Sequence, residues 1–170
     1  MLSFAHLTPF DDKGRPQMVV ETPRGSPTKF RFDAEKGVFT VARSLALGVT
    51  YPFDWGFIPG TKSGDGDALD ALCVHHHGSF AGVVLPCRCI GAVQIDQKSS
   101  RGRVSNPRVI LVPAWSGAQG IEDELELTDR MRQEIEQFFL NVTLFTAKDA
   151  RISGWLDANA AEGVVREMTL

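Results

Sequence analysis

Three aspartates fall within six residues of this chain, at Asp65, Asp67 and Asp70 of the run Ser63-Gly64-Asp65-Gly66-Asp67-Ala68-Leu69-Asp70. Carboxylates packed so closely are costly unless water, a cation or protonation relieves their repulsion, which limits where a fold can put them. Their hard oxygen donors suit Mg2+, Mn2+ or Ca2+ rather than a soft metal. Taken alone, the run also fits a solvated acidic turn. The preceding stretch, Tyr51-Pro52-Phe53-Asp54-Trp55-Gly56-Phe57-Ile58-Pro59-Gly60-Thr61, points elsewhere. Its two prolines, two glycines and four aromatics predict an apolar loop that bends into the acidic turn. The carboxylates then sit at the mouth of an apolar wall, which a turn serving solubility alone does not need. An EF-hand loop starting at Asp65 would require an oxygen ligand at Leu69, glycine at Asp70 and glutamate at His76, and all three fail. An aspartate-nucleophile phosphatase would carry its Asp-x-Asp directly after an apolar strand, but Thr61-Lys62-Ser63-Gly64 intervenes here.

At 170 residues the chain is read as one domain, 1–170, large enough to bury about 70% of its unfolded surface. A net charge of −3 weighs against a general nucleic-acid binder, which would be basic. The N-terminus, Met1-Leu2-Ser3-Phe4-Ala5-His6, has no basic region or long apolar core, and no stretch approaches a membrane span. The expected location is the cytoplasm, with no membrane partner. Cys73, Cys87 and Cys89 are an odd number of thiols, expected to stay reduced. Cys87 and Cys89 lie two apart in a predicted strand and face one way as small apolar groups. The alternative, a soft-metal site with His75-His76-His77, lacks any CxxC or HxxxH spacing.

The first half alternates like strands. Pro16–Glu21, Lys29–Phe32, Val38–Ala42, Leu69–Val74, Val83–Ile95 and Val109–Val112 are predicted β segments, with a hairpin turn over Asp33–Gly37. Strands this short and evenly spaced suit a small barrel or sandwich. The period then changes. Met131, Ile135, Phe138, Phe139 and Val142 follow helical spacing within Leu127–Leu144, with Thr128 as N-cap and Asp129 in the first turn. A second helix is predicted from Asp157, its cap, to Met168, with Ala161, Val164, Val165 and Met168 inward. The fold class is α+β.

Tyr51 to Leu72 closely resembles the signature of family I (soluble) inorganic pyrophosphatases: aromatic-Pro, then Tyr-Gly-x-Ile-Pro-x-Thr, then Asp-Gly-Asp-Pro-x-Asp. The resemblance implies a five-stranded OB-like barrel with peripheral helices. It implies hydrolysis of inorganic pyrophosphate to two phosphates by a metal-activated water, with Mg2+ as cofactor or Mn2+ or another divalent ion in its place. It also implies a homo-oligomer, a hexamer in bacteria. Such chemistry needs cations on the phosphates, a nucleophile made from water, and fixed positive side chains on the non-bridging oxygens. By the resemblance, Asp65, Asp67 and Asp70 match the central metal-binding aspartates, and Asp67 the base assisting the water. Asp96 matches a further metal-binding aspartate, and Glu21 a glutamate touching metal through water. Lys29 and Arg43 match phosphate-binding residues.

The departures are informative. Where the family has Asp-x-Lys, this chain has Asn106-Pro107-Arg108, so a carboxylate becomes an amide while Arg108 keeps the positive charge on the substrate. Trp55 replaces the tyrosine of Tyr-Gly, Ala68 the proline of the aspartate motif, and Arg31 an acidic residue. The family's phosphate-gripping Tyr-Lys pair aligns with Val142-Thr143, and Lys148 follows five residues on. The basic run Lys98–Arg103 reads as a solvated hairpin tip, with a replacement grip as the competing role. Two other functions fit the same residues: hydrolysis of an organic diphosphate, and metal or phosphate binding with little turnover.

Overall fold

In the computed structural model, which describes residues 2–100, 102–114 and 127–170, strands dominate the first two thirds of the chain. These are β1 (Gln17–Thr22), β2 (Thr28–Asp33), β3 (Val38–Ser44), β4 (Asp54–Ile58), β5 (Leu69–Cys73), β6 (Val84–Ser99), β7 (Gly102–Ser105) and β8 (Arg108–Pro113). Helix α1 (Asp129–Val142), strand β9 (Arg151–Leu156) and helix α2 (Ala158–Glu167) follow.

Five strands close into a ring in the order β1–β4–β5–β8–β6, with the start of β6 pairing back onto β1. The β5–β8 pair is parallel and the other four are antiparallel. Closure satisfies edge hydrogen bonds that an open sheet would expose. The α+β, OB-like fold implied by the sequence is the one observed. The long β6 also carries β9 and β7 along its second half, and β2 and β3 form a separate hairpin.

Alternation along the strands buries both of their faces. Ala71, Cys73 and Leu111 join a core closed by Ala161 and Val165 of α2. Leu72, Val74, Ile110 and Val112 join a second core with Trp55 and with Ile135, Phe138, Phe139 and Val142 of α1. Burying each such side chain contributes about 1.5–3 kcal/mol, so apolar packing rather than propensity fixes both helices. The predicted caps hold: Thr128 accepts from the Met131 N–H at 3.2 Å and Asp157 from the Ala160 N–H at 2.8 Å. No described helix is long and apolar enough to cross a membrane. The cysteines are buried core thiols, with Cys73 Sγ 3.8 Å from Cys87 Sγ. His75 lies just past β5, its Nε2 2.9 Å from Asp54.

One stretch differs from expectation. The segment read as an apolar loop contains β4, because Gly56 lets β1 approach to a distance no side chain permits. A Cβ there would meet the Val19 carbonyl oxygen at 1.8 Å. Glycine is a poor strand former, but this close backbone contact requires it.

Candidate active site

The acidic loop folds on itself. The Ser63 N–H donates to the Asp67 carbonyl at 2.7 Å, and the Gly66 N–H to the Ser63 carbonyl at 2.9 Å. The Asp65 carboxylate accepts the Asp67 N–H at 3.2 Å, an Asx turn that Asp and Gly residues favour. Its other oxygen accepts from Asn106 Nδ2 at 2.6 Å. Asn106 is buried, receives the Ser63 hydroxyl at 3.3 Å, and donates its own N–H to Ile95. Asp65 and Asp67 remain exposed, while Asp70, on β5, is partly buried. Asp70 pairs with Arg108 Nη1 at 2.7 Å.

β-bulges set the surrounding side chains. Glu21 lies at a register shift between Val20 and Thr22 of β1, an irregularity that re-aims a side chain. Its carboxylate accepts the Phe32 N–H at 2.7 Å. Burial, countered by that bond and by Lys29 and reinforced by Asp70 and Asp67, pushes the Glu21 pKa up to about 7. A second bulge, beside Lys29 on β2, leaves Lys29 directly opposite Arg43 on β3. Like charges facing each other across strands are unfavourable by roughly 0.2–1 kcal/mol, so this pair makes sense beside an anion.

These cations line one pocket of about 420 Å³, counted out to the solvent at its mouth. Lys29, Arg43, Arg108 and Lys148 reach it, with Trp55 and Val142 among its apolar wall. Lys29 Nζ and the Arg108 guanidinium each lie 5.5 Å from the Trp55 ring centre, where the ring face attracts positive charge. Arg43 Nη2 donates to the Val142 carbonyl at 2.5 Å, placing a cation at the negative end of α1.

Of the residues named from sequence, Glu21, Asp65, Asp67 and Asp70 gather on the acidic side, and Lys29, Arg43 and Arg108 on the basic side. Asp96 is not brought in. Ile95 and Gln97 line the pocket, and strand alternation turns the intervening Asp96 to the opposite face. Gln97, buried and 3.5 Å from Arg108, occupies the pocket side that a carboxylate was expected to supply. The basic run is also engaged elsewhere. Lys98 and Arg103 reach Asp149 at 3.4 and 2.5 Å, and Arg101 lies outside the described residues. Lys148 is the pocket residue whose role the sequence left open, because a lysine in a polar turn carries no periodic signal.

Four carboxylates on one side fit a hard divalent cation, which would relieve the repulsion that Asp70 and Asp67 impose on Glu21. Around them the buried polar side chains are amides: Gln97 on β6, and Asn106 in the turn between β7 and β8, which donates to Asp65. Among the described residues no three acidic, His or Cys side chains already converge on one point.

An inorganic pyrophosphatase family profile matches residues 18–170. An inorganic pyrophosphatase of Sulfolobus acidocaldarius is 34% identical over 152 residues, spanning 88% of this chain and 86% of the relative. One of Rickettsia conorii is 32% identical over 155 residues, spanning 88% and 87%. The crystal structure of an inorganic pyrophosphatase from Thermus thermophilus matches with a TM-score of 0.84 at 32% identity, covering 98% of this chain and 96% of that one.

Proposed function

The chain belongs to the inorganic pyrophosphatase family, and from that premise we propose that its acidic loop and cationic pocket together hydrolyse pyrophosphate, with Mg2+ as the cofactor. The observation that carries this reading is the opposition of two charged groups joined by the 2.7 Å contact of Asp70 with Arg108. Glu21, Asp65, Asp67 and Asp70 are the residues that would hold divalent cations. When bound, such cations neutralise phosphate charge and acidify a coordinated water.

The side chains supply the rest. Lys29, Arg43 and Arg108 hold the non-bridging oxygens, and their charge stabilises what develops on the phosphoryl groups during transfer. Asp67, exposed and accepting no side-chain hydrogen bond among the described residues, takes the proton of the attacking water. The water oxygen bonds to phosphorus, the bridging P–O bond breaks, and its electron pair leaves on the second phosphate under Arg43 and Lys29. The buried Trp55 ring keeps water from behind the cations.

Phosphate release from pyrophosphate with excess Mg2+, wild type beside Asp67→Asn, tests the proposal. We expect turnover that the variant loses by about a thousandfold or more. Release no faster than the variant's background overturns it and leaves a metal- or phosphate-binding protein. The apolar wall of Val142, with Phe138 and Phe139 behind it, favours an organic diphosphate as the second reading. Faster turnover of ADP than of pyrophosphate would select it. Exposed apolar side chains at Val41, Leu47 and Phe80 support self-association into a homo-oligomer.

A further inference from the structure

The end of α1 forms one wall of the cationic pocket but brings no charge to it. Val142 is apolar, and Thr143 spends its hydroxyl on the helix, donating to the Leu140 carbonyl at 3.0 Å. The last turn of α1 contains no basic residue. Beyond it, residues 143–150 turn back towards β6 through two non-glycine residues in the left-handed region, Phe145 (φ 60°) and Asp149 (φ 43°). The Lys98 N–H anchors this segment by donating to the Lys148 carbonyl at 2.6 Å.

The cations around this segment divide into two sets. Lys98, Arg103 and Arg151 all reach Asp149, at 3.4, 2.5 and 3.4 Å. Lys148 does not. It lines the pocket with Lys29, Arg43 and Arg108, and among the described residues its Nζ has no ion-pair partner. Arg43 and Arg108 are each held in part by protein acceptors, Val142 and Asp70. The residue as a whole stays exposed, yet surrounding protein and then the Lys29 and Arg108 charges lower its pKa, opposed by Asp70 and Asp65. Lys29 Nζ likewise has no ion-pair partner among the described residues and meets only the Trp55 ring, so the cluster of four cations holds two ammoniums that an anion of high charge would complete.

We propose that Lys148 binds the outer phosphate of the substrate, closing the pocket from the turn after α1 in place of the helix end. The inference rests on the pyrophosphatase reading for its substrate, and deepens it by naming a substrate-binding residue on a different element. Val142, Thr143 and Lys148 line the same pocket, and of the three only Lys148 brings a charge, on a flexible four-carbon stem. The lysine acts as a mobile point charge, ordered when phosphate arrives.

The test is calorimetric titration of imidodiphosphate, a hydrolysis-resistant pyrophosphate analogue, into the full chain with saturating Mg2+. Lys148→Ala should weaken binding about tenfold or more, the loss expected for one charge-assisted contact. It should raise KM for pyrophosphate by a similar factor with a smaller change in kcat. Lys148→Arg should recover most of the binding, and Thr143→Lys placed in the Lys148→Ala protein should recover part, since both side chains face one pocket. Lys98→Ala, whose side chain goes to Asp149, should bind like wild type. Analogue binding by Lys148→Ala within about twofold of wild type, with an unchanged Tm, would overturn the inference. If wild type binds the analogue through Lys148 but hydrolyses no pyrophosphate, the proposed function fails and this inference stands. If wild type does not bind the analogue, both fail.

Discussion

The two sides of the site are held in different ways. The acidic side is a surface turn: Asp65 and Asp67 are exposed, and Ser63–Asp67 is closed by short-range hydrogen bonds. The basic side is built on strands and a helix end, with Arg108 only 6% exposed, Lys29 and Arg108 over Trp55, and Arg43 tied to Val142. Three of the four cations are therefore braced before any phosphate arrives, which favours preorganised charge stabilisation. On the acidic side burial first, and then the Asp70 and Asp67 charges, raise the Glu21 pKa, a penalty that a bound cation would offset. In the proposed function, braced cations that would receive phosphate thus face exposed carboxylates that would hold the metal.

Arg108→Ala strikes the contact between the two sides and should have the largest effect. Arg108 pairs with Asp70, donates to the Asn106 carbonyl at 3.2 Å, and covers Trp55. Removing it leaves a partly buried carboxylate unpaired, a cost of about 2–3 kcal/mol, and should lower kcat/KM at least about a hundredfold. Thermal melts and steady-state kinetics check both, and Arg108→Lys should recover part of each. If Arg108→Ala keeps wild-type kinetics, the cation is structural only.

Asn106→Asp sharpens the contrast by adding charge to the acidic side. It should lower the half-saturating Mg2+ about tenfold, since a hard cation gains a carboxylate. The same change should destabilise the metal-free protein by about 1–2 kcal/mol, because the buried group loses its hydrogen bond to Asp65 and repels it. An unchanged Mg2+ requirement would place residue 106 outside the cation site.

Glu21 gives a pH signature. Burial raises its pKa from the ordinary 4.5 to about 7, so the folded protein binds more protons than the unfolded chain between those values. Metal-free stability should therefore be full below pH 4.5 and fall as pH rises through 7, by about 1–3 kcal/mol. Urea unfolding with EDTA across this window measures the slope, and Glu21→Gln should remove it. A slope unchanged in the variant would assign the proton elsewhere. Lys98→Ala should do least, changing stability by less than about 0.5 kcal/mol, because its ion pair with Asp149 is exposed.

Much of this was readable from residue order. The helices and their caps followed from apolar spacing at Ile135, Phe138, Phe139 and Val142 and from Thr128 and Asp157, all local signals. Six of the strands were visible as apolar runs. β4 was hidden because Gly56 answers to a backbone contact with β1, which no local pattern carries. β7 was missed because it is short and largely exposed, and β9 because its partly buried residues form no continuous apolar run. In the site, the loop aspartates announced themselves by proximity, and Lys29 and Arg43 by the resemblance. Their direct opposition across a bulge is a matter of register that sequence does not display. Asp96 and Gln97 differ by one residue, and one residue in a strand reverses the face. Lys148 depends on a turn whose backbone conformation only the folded chain reveals.

The most direct single measurement is phosphate release from pyrophosphate across a Mg2+ titration, for wild type, Asp67→Asn and Lys29→Ala together. We predict Mg2+-dependent turnover in wild type. Asp67→Asn should lose kcat about a thousandfold, and Lys29→Ala should mainly raise KM for pyrophosphate, about tenfold. Wild-type release that never exceeds the Asp67→Asn background at any Mg2+ concentration would contradict the division of labour between the two sides and the hydrolysis it is proposed to perform.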